Sequence, residues 1–387
     1  MAGSRVRAHR DVDGVAPDGQ RLSTIDDPVA GAPAPAGGRA APNERLTSMR
    51  ETHEGGVPVA AASIAGVRPR VVIFDPMPGE WSWAAETRML GTRGVDLVVP
   101  ADAAEADEAI RTADAVIVTG VRRLDGDRVA GLERCVGILC YSIGMDKVDG
   151  PTAAARGIPV RNVPDYCTDE VSDHGLALLL AAQRRLLPLA VATAAGSWPA
   201  GDRSITGSIR RLRGQTLGIV GAGRIGRLVA RKAQAFGFRT IAFDPFISAS
   251  EDPDLHLVDR DELLRSADAI VLCAAYTPGT PPFITNDTLE LVKPGVILVN
   301  IARGGHIDEL ALADALQDGR VAVAALDVRA TEPPVRADDP LAGMPNVIVT
   351  PHVAATSRDA IDDLHRLAAE YVLDMLQAGQ RIPAAVA

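Results

Sequence analysis

Aromatic residues, cysteines and lysines are all scarce in this chain of 387 residues. Phe, Trp and Tyr make up only 3% of the sequence, so the hydrophobic cores must be built from Ala, Val, Leu and Ile. The four cysteines form no C-x-x-C pair and are too few for a disulfide scaffold in a chain of this length. This cysteine usage favours a reduced, cytoplasmic protein.

Long hydrophobic runs and an excess of positive charge are also missing. Apolar runs such as Leu176 to Ala182 are far short of the ~20 residues that cross a membrane, and the N-terminus has no apolar signal-peptide core. The formal net charge of −10 argues against nucleic-acid binding through a basic face. We therefore expect no membrane and no nucleic acid among the direct partners of this protein. We also predict no metal site.

Two series of short apolar segments follow an N-terminal extension of different composition. Residues 1–67 are rich in Ala, Gly, Pro and Arg without a sustained period, and we predict that they are disordered. From Val71 onwards, short β-branched runs alternate with helix-length segments, and a second such series runs from "TLGIVGAG" to "NVIVTPH". This alternation predicts an α/β fold with two doubly wound parallel sheets. Residues Ser357 to Ala378 predict one amphipathic helix.

A glycine-rich turn opens the second series. The turn Gly221-x-Gly223-x-x-Gly226 follows the apolar strand Leu217–Val220 and precedes a helix that begins at Arg224. In a dinucleotide-binding turn the first glycine permits the tight bend, the second lets the backbone approach a pyrophosphate, and the third lets helix and strand pack closely. The unpaired N–H groups at the start of the helix attract the phosphates.

The acidic residue after the next strand selects the cofactor. Asp244 lies 18 residues after Gly226, close to the expected position of a carboxylate that binds ribose hydroxyls. A carboxylate repels a 2′-phosphate, and the following residues, Pro245 and Phe246, supply no arginine. The pattern therefore favours NAD(H) over NADP(H). A purely structural glycine turn, FAD or S-adenosylmethionine are the alternatives at this point.

Three polar residues follow apolar strands of the second series. Arg303 comes after "GVILVNIA", Glu332 after "VAVAALDV" and His352 after "NVIVTP". Because ligands bind outside the carboxyl ends of parallel strands, we expect all three side chains in one crevice. Arginine can hold a carboxylate in bidentate fashion, histidine suits proton transfer near neutral pH, and a glutamate would stabilise the imidazolium. This set predicts hydride transfer at a carbon that bears a hydroxyl group. Each residue taken singly also has a structural reading.

The motifs that carry this chemistry resemble a known enzyme family. "RLRGQTLGIVGAGRIG", "LVNIARGGHIDELAL", "AALDVRATEPP" and "VTPHVAATS" are similar to segments of the D-isomer-specific 2-hydroxyacid dehydrogenases. The resemblance runs from about Arg68 to the end of the chain. "NVPDYCTDEVSDHGLALLL" and "AFGFRTIAFDPF" resemble bacterial relatives of the C-terminal-binding proteins, and "CYSIGMDKVD" resembles phosphoglycerate dehydrogenases.

The resemblance implies an architecture and an assembly. The substrate-binding domain would be discontinuous and comprise residues 68–168 plus 353–387. The NAD-binding Rossmann domain would comprise residues 169–352, and a homodimer would form through an arm at about 188–211. The expected activity is that of an NAD-dependent D-2-hydroxyacid dehydrogenase.

The resemblance also implies site residues. Arg303 would bind the substrate, Glu332 would pair with the histidine, and His352 would be the acid/base. Ile143 would lie near the nicotinamide, Asp327 near its amide, and Cys273 to Gly279 along the adenosine half. The complete set of implied cofactor contacts is Ile143, Gly221, Ala222, Gly223, Arg224, Ile225, Gly226, Asp244, Cys273, Ala274, Ala275, Tyr276, Gly279, Ile301, Ala302 and Asp327. The implied substrate contacts are Thr119, Gly120, Val121, Arg303 and His352.

Two departures from the family pattern leave the substrate open. The loop "TGVRRL" offers the backbone N–H groups of Gly120 and Val121 where relatives often present a polar or basic side chain. His352 is followed by Val353, without the tryptophan of eukaryotic C-terminal-binding proteins. Glu332 argues against formate as the donor, whereas phosphite stays open. The alternative function is an NAD(H)-sensing, C-terminal-binding-protein-like interaction protein with little turnover.

The role of Asp244 can be tested through coenzyme preference. We expect the protein to react faster with NADH than with NADPH. In Asp244→Ala the difference between the two rates should become smaller, because the variant no longer repels a 2′-phosphate. The measurement is the rate with each coenzyme at matched concentrations. A wild-type preference for NADPH of about tenfold, equivalent to ~1.4 kcal/mol, would contradict this assignment.

Overall fold

The part of the chain that carries both predicted series is visible in the structure. The computed structural model describes residues 68–380, with the exception of residues 78, 80, 248–251, 278 and 336. All described residues belong to one compact unit. The extension 1–67, for which the sequence predicts disorder, and residues 381–387 lie outside the described residues.

The first series forms a five-stranded parallel sheet with the strand order β2-β1-β3-β4-β5. Its elements are β1 (Arg70–Ile73), α1 (Ala84–Thr92), β2 (Asp96–Val98), α2 (Ala103–Ala109), β3 (Ala115–Val118), α3 (Gly126–Ala130), β4 (Ile138–Cys140), α4 (Gly150–Ala155) and β5 (Val160–Arg161). Val71 and Ile73 belong to one buried cluster, whereas Val72 and Phe74 belong to another. Because successive side chains of a strand point to opposite faces, both faces of this sheet are covered.

The second series forms a seven-stranded parallel sheet with the order β12-β11-β10-β9-β6-β7-β8. Its elements are α5 (Thr168–Gln183), α6 (Leu186–Ala194), α7 (Arg203–Thr206), β6 (Thr216–Val220), α8 (Arg224–Ala235), β7 (Arg239–Phe243), β8 (Leu255–Leu257), α9 (Arg260–Ser266), β9 (Ala269–Leu272), α10 (Asn286–Leu289), β10 (Val296–Asn300), α11 (Glu309–Gln317), β11 (Val321–Leu326) and β12 (Val347–Val349). Alternate residues of β10 again enter two different buried clusters. The predicted pair of doubly wound parallel sheets is confirmed.

The C-terminal helix α12 (Arg358–Ala378) returns to the first sheet. Its predicted bounds are confirmed, and the Ser357 hydroxyl caps its first turn by accepting a hydrogen bond from the Ala360 N–H at 2.9 Å. Leu364 and Val372 lie in the same buried cluster as Val71 of β1. The unit around the first sheet is therefore built from two separate segments of the chain, and its role as the substrate-binding domain stays a prediction. The exact residue bounds of the two domains stay a prediction.

The long apolar segment at the start of the second half is broken. α5 ends at Gln183, and Arg185 adopts a left-handed backbone with φ of 54° before α6 begins. Helix α5 packs against α8 and β10 of the seven-stranded sheet. Within the described ranges, no single helix is long and apolar enough to span a membrane, although the bent pair α5–α6 meets the length and composition criteria together.

Candidate active site

The carboxyl ends of the seven parallel strands place the predicted residues in a row. The chain starts at β6 in the middle of the sheet, adds β7 and β8 on one side, and then crosses to β9, β10, β11 and β12 on the other. Such a reversal of strand order opens a crevice at the sheet edge, where ligands bind. Asp244 follows β7, the glycine turn follows β6, Arg303 follows β10 and His352 follows β12. The dinucleotide-binding motif and the predicted catalytic residues therefore lie on opposite halves of the carboxyl-terminal edge of the seven-stranded sheet.

Two of the three glycines in the turn are required by close contacts, and the third faces open space. Gly221 has a φ of +96°, and a Cβ atom built there would lie 2.6 Å from Ala274 Cα. A Cβ atom on Gly226 would lie 2.0 Å from the carbonyl oxygen of Gly221, so helix α8 could not pack against the turn. Nothing lies within 4 Å of a Cβ atom built on Gly223, the residue before α8. The turn therefore leaves open space where the helix N-terminus attracts an anion.

Asp244 is held directly above this turn. Its Oδ2 accepts a hydrogen bond from the Ala222 N–H, and its Oδ1 accepts one from the Phe246 N–H, both at 2.9 Å. The turn and the end of β7 are also joined by the Gly221 N–H, which donates to the Phe243 carbonyl oxygen at 2.9 Å. Each carboxylate oxygen retains further acceptor capacity for hydroxyl groups of a ligand.

The segment after β9 packs against the turn and against the next loop. The imidazole of His306 is buried, which lowers its pKa, and its Nε2 lies 3.1 Å from the Ala274 carbonyl oxygen. The ring of Tyr276 lies so close to Gly305 that a Cβ atom there would be 2.5 Å from it. Burial raises the pKa of the Cys273 thiol to about 12, so this residue is an inert part of the wall.

A buried carboxylate organises the histidine end of the row. Asp327 is 1% exposed and follows β11. It accepts hydrogen bonds from the Thr350 hydroxyl at 2.6 Å, the Val353 N–H at 3.0 Å and the Ala354 N–H at 2.9 Å. His174 of α5 lies 3.3 Å from the same carboxylate. These hydrogen bonds therefore hold the loop that carries His352, the predicted acid/base, against the end of β11.

His352 sits in that loop with a left-handed backbone, at a φ of 55°. A conformation of this kind costs on the order of 1–3 kcal/mol in a non-glycine residue and is held here by its backbone N–H, which donates to the Asp327 carbonyl oxygen at 2.8 Å. Its Nδ1 lies 2.7 Å from Glu332 Oε2, and the side chain of His352 is 46% exposed. The structure therefore pairs the two residues and leaves the imidazole accessible.

Glu332 is itself fixed in place. Its Oε1 accepts a hydrogen bond from the Arg329 N–H at 2.8 Å. Burial works to raise the pKa of the Glu332 carboxyl, but its hydrogen bonds with His352 and Arg329 outweigh burial and hold that pKa below its usual range. The buried Arg329 guanidinium forms ion pairs with Glu309 Oε1 through Nε at 2.9 Å and with Asp339 Oδ1 through Nη2 at 2.6 Å. These ion pairs stabilise the loop that carries Glu332.

Arg303 reaches from the second sheet to the first. Its Nε donates to Asp146 Oδ1 at 3.1 Å and its Nη1 to the Ala302 carbonyl oxygen at 2.8 Å. A Cβ atom on Gly144 would lie only 1.7 Å from Arg303 Nη2, so the guanidinium occupies the space that glycine leaves. Of five N–H donors, two are used, and no described residue accepts from Nη2.

The remaining predicted residues lie at the edge of the first sheet. Ile143 and Thr119 to Val121 follow β4 and β3, which are neighbours in that sheet. The expectation that the Gly120 N–H faces a substrate is not met, because it donates to Asp75 Oδ2 at 2.8 Å. Asp75 also accepts hydrogen bonds from the Thr119 and Arg122 N–H groups, at 2.6 Å and 3.0 Å. Of the two N–H groups predicted to face the substrate, those of Gly120 and Val121, only the Val121 N–H does not bind the Asp75 carboxylate.

Several contacts that shape the site were not predicted from the sequence. They involve Asp75, Gly144, Asp146 and the contact of His306 with Ala274. Asp75 follows the strand "VVIF" just as Arg303 follows its strand, so the same signal was present in the first series. His174 is a further residue of this kind, since its Nε2 lies 3.3 Å from Asp327 Oδ1.

Comparison with known proteins places this arrangement in a family. Residues 176–354 match the family model described as the NAD binding domain of D-isomer specific 2-hydroxyacid dehydrogenases. The chain is 40% identical over 280 residues to the D-3-phosphoglycerate dehydrogenase of Mycobacterium leprae, an alignment that covers 72% of this chain and 52% of that protein. The chain thus spans about half the length of that relative.

Two further proteins match over most of their own length. A glycerate dehydrogenase of Methylorubrum extorquens is 37% identical over 247 residues, which cover 62% of this chain and 74% of the relative. The crystal structure of an NADPH-dependent glyoxylate/hydroxypyruvate reductase from Sinorhizobium meliloti superimposes with a TM-score of 0.69 at 30% identity, covering 79% of this chain and 93% of that one. The fold, the NAD-binding domain and these relatives show that the chain belongs to the D-isomer specific 2-hydroxyacid dehydrogenase family.

Proposed function

We propose that this protein is an NAD-dependent oxidoreductase that transfers a hydride between NAD(H) and a D-2-hydroxy acid or the corresponding 2-oxo acid. The observation that carries the proposal is the 2.7 Å contact between His352 Nδ1 and Glu332 Oε2, on the sheet edge that also bears Arg303 and the glycine turn. A proton-transfer group, a cation for the acid and a dinucleotide turn are the parts that this reaction needs.

His352 is the proposed proton donor and acceptor. With Nδ1 engaged by Glu332, Nε2 is the nitrogen left to exchange a proton with the substrate oxygen. In reduction the imidazolium donates that proton to the 2-oxo group, and in oxidation the neutral ring accepts it from the hydroxyl group. The carboxylate of Glu332 stabilises the imidazolium and fixes the orientation of the ring.

Arg303 is the proposed anchor for the substrate carboxylate. Two of its N–H groups hold the side chain to Asp146 and Ala302, and three remain for a ligand. A guanidinium positioned in this way can bind a carboxylate through a bidentate contact and can also polarise the adjacent carbonyl group.

The second half of the sheet edge fits the dinucleotide. NAD(H) supplies or accepts the hydride when bound. The open space at Gly223 and the N-terminus of the 12-residue helix α8 suit the pyrophosphate, and Asp244 suits the ribose hydroxyl groups. We place Cys273 to Gly279 along the adenosine half, and Ile143, Ile301, Ala302 and Asp327 near the nicotinamide, as the resemblance implies.

The substrate class follows from what the relatives share. Their names refer to 3-phosphoglycerate, glycerate, glyoxylate and hydroxypyruvate, and each of these is a 2-hydroxy or a 2-oxo acid. The same relatives are named as enzymes, so nothing in the comparison favours the alternative of an NAD(H)-sensing binding protein. Measuring NADH oxidation with a panel of 2-oxo acids separates the two functions, because the binding protein should turn over none of them at a useful rate.

We further propose a homodimer, in the cytoplasm, that forms through the arm at about 188–211. Helix α6 has no buried residue, and the apolar side chains of Val191 and Trp198 are 68% and 82% exposed. Large exposed apolar side chains on neighbouring elements are typical of an interface. The cytoplasmic location suits a chain whose described cysteines are all free thiols.

The roles of His352 and Glu332 predict two different kinetic signatures. His352→Asn should lower kcat by about 10²–10⁴-fold, the usual contribution of a positioned proton-transfer group, while NADH still binds. Glu332→Gln removes the charge that stabilises the imidazolium but keeps the side-chain shape. Because reduction needs a protonated His352, the alkaline limb of its pH–rate profile should move to lower pH, and activity is lost mainly at high pH.

Rates from pH 5 to 10 and NADH titrations by fluorescence would test both expectations. An unchanged alkaline limb in Glu332→Gln, or near-normal kcat in His352→Asn, would show that the chemistry belongs to other residues.

The fit between Gly144 and Arg303 predicts a selective loss of activity. In Gly144→Ala the new Cβ atom would lie 1.7 Å from Arg303 Nη2, the mobile end of a side chain, so the guanidinium moves while the fold persists. A displacement of about 1 Å can reduce kcat/KM on the order of a hundredfold. Gly150→Ala is the matched control, because nothing lies within 4 Å of its Cβ position. Steady-state kinetics and melting temperatures test this, and equal behaviour of the two variants would contradict the role of Arg303.

The homodimer proposal predicts a change of mass. Replacing both Val191 and Trp198 by Asp should convert a dimer into a monomer, because it buries charge in an apolar interface. Phe236→Asp, an exposed apolar residue outside the arm, should leave the dimer intact. Light scattering coupled to size-exclusion chromatography measures the mass directly. A wild-type protein that elutes as a monomer at micromolar concentration would refute the assembly.

A further inference from the structure

The loop after β3 already holds an internal anion. The buried carboxylate of Asp75 accepts hydrogen bonds from the Thr119, Gly120 and Arg122 N–H groups, at 2.6, 2.8 and 3.0 Å. Backbone N–H groups that converge in this way form a cradle that would otherwise suit an anionic ligand. Burial raises the pKa of the Asp75 carboxyl, although its hydrogen bonds oppose that effect. A second anion that approaches this loop therefore needs a cation from elsewhere.

The two arginines of the loop are engaged with other groups. Arg122 Nη2 donates to the Phe74 carbonyl oxygen and to Asp107, both at 3.1 Å, and its guanidinium stacks over the Phe74 ring. Arg123 Nη1 donates to the Asp146 carbonyl oxygen at 3.2 Å, and its Nη2 lies 3.7 Å from Asp149. The basic residues that the sequence places in this loop thus support its shape.

Lys147 is the cation that remains. Its Cγ lies 3.7 Å from a Cβ atom built on Gly120, so the side chain passes over the loop that holds Asp75. Lys147 is exposed, and within the described part of the chain it has no ion pair or side-chain hydrogen bond. The other two lysines are paired, Lys232 with Asp173 at 2.6 Å and Lys293 with Asp268 at 3.4 Å.

The loop after β4 connects Lys147 to the proposed reaction centre. Gly144 and Asp146 of this loop contact the Arg303 guanidinium, and Lys147 covers Gly120. Gly144 and Lys147 are three positions apart in the sequence, so their Cα atoms lie at most ~11 Å from each other. One end of this short loop therefore contacts the Arg303 guanidinium, and the other end bears the Lys147 side chain, so both cations belong to the surroundings of one loop.

We propose that Lys147 determines substrate specificity by binding a second anionic group, a carboxylate or a phosphate, at the far end of the 2-oxo acid. This inference rests on the proposed function, in which Arg303 binds the carboxylate next to the reacting carbon. The ammonium group offers three donors to such a group and offsets the repulsion from Asp75. Substrates with two anionic ends are therefore favoured over acids of equal size with a neutral end.

Matched substrates test this specificity. Oxaloacetate and 2-oxobutanoate have the same four-carbon skeleton, and 3-phosphohydroxypyruvate and hydroxypyruvate differ by the phosphate. In Lys147→Met, kcat/KM for both dianionic acids should fall about 10- to 100-fold through KM, the effect of one charged hydrogen bond, while the monoanionic acids stay within about twofold. Lys147→Arg should restore most of the loss. Lys293→Met is the control for removing a lysine elsewhere and should leave all four substrates unaffected.

The two proposals fail in different ways. If the wild type reduces none of the four acids, the proposed function is wrong, and calorimetric titration of NAD⁺-loaded protein with oxaloacetate and 2-oxobutanoate still decides the role of Lys147. In that titration, oxaloacetate should bind more tightly than 2-oxobutanoate to the wild type but not to Lys147→Met. An equal loss for both classes of acid in Lys147→Met, or no loss for either, overturns the role of Lys147 even if the enzyme is active. The ratio between oxaloacetate and 3-phosphohydroxypyruvate in the wild type identifies which anionic group is preferred.

Discussion

The carboxylate of Asp327 is the constraint on which the histidine half of the site depends. A buried charge is stable only when hydrogen bonds replace the lost water, and Asp327 obtains them from Thr350, Val353 and Ala354. These are the residues on either side of His352, so satisfying the carboxylate also fixes the loop in which His352 takes its left-handed backbone. The requirement is reciprocal, because without the loop Asp327 would be an uncompensated charge in the core.

The same network runs along the sheet edge to the arginine. The Asp327 N–H donates to the Asn300 carbonyl oxygen at 2.9 Å, and the Asn300 side chain donates to the Arg303 carbonyl oxygen at 2.9 Å. Arg303 then crosses to Asp146 of the first sheet. The proposed site is therefore assembled from both sheets, and neither sheet alone presents a complete set of groups for an acid substrate.

Internal carboxylates explain which cations are left for ligands. The chain is acidic overall, and acidic side chains near the site accept hydrogen bonds from nearby donors. Asp146 accepts one from Arg303 Nε, and Asp75 accepts three from backbone N–H groups. The guanidinium of Arg122 likewise donates a hydrogen bond to Asp107 and stacks over the Phe74 ring. Among the described residues of the loops after β4 and β10, the outer part of Arg303 and the ammonium group of Lys147 keep donors that bind no other described residue. Selectivity for an anionic substrate then depends on a few unpaired groups rather than on net charge.

Local patterns in the sequence determined the two parallel sheets, the dinucleotide turn and the set of strand ends that bear Arg303, Glu332 and His352, because hydrophobic period, glycine spacing and strand-end position are properties of neighbouring residues. The extent of α12 followed for the same reason, from its amphipathic pattern, whereas the capping hydrogen bond of Ser357 is seen only in the structure. Only the tertiary structure decided that the Gly120 N–H belongs to Asp75, that Gly144 makes room for Arg303, and that Lys147 covers Gly120. These contacts join residues far apart in sequence or on separate loops. Which donor meets which acceptor depends on how the two sheets and their loops pack, and no local pattern encodes that choice.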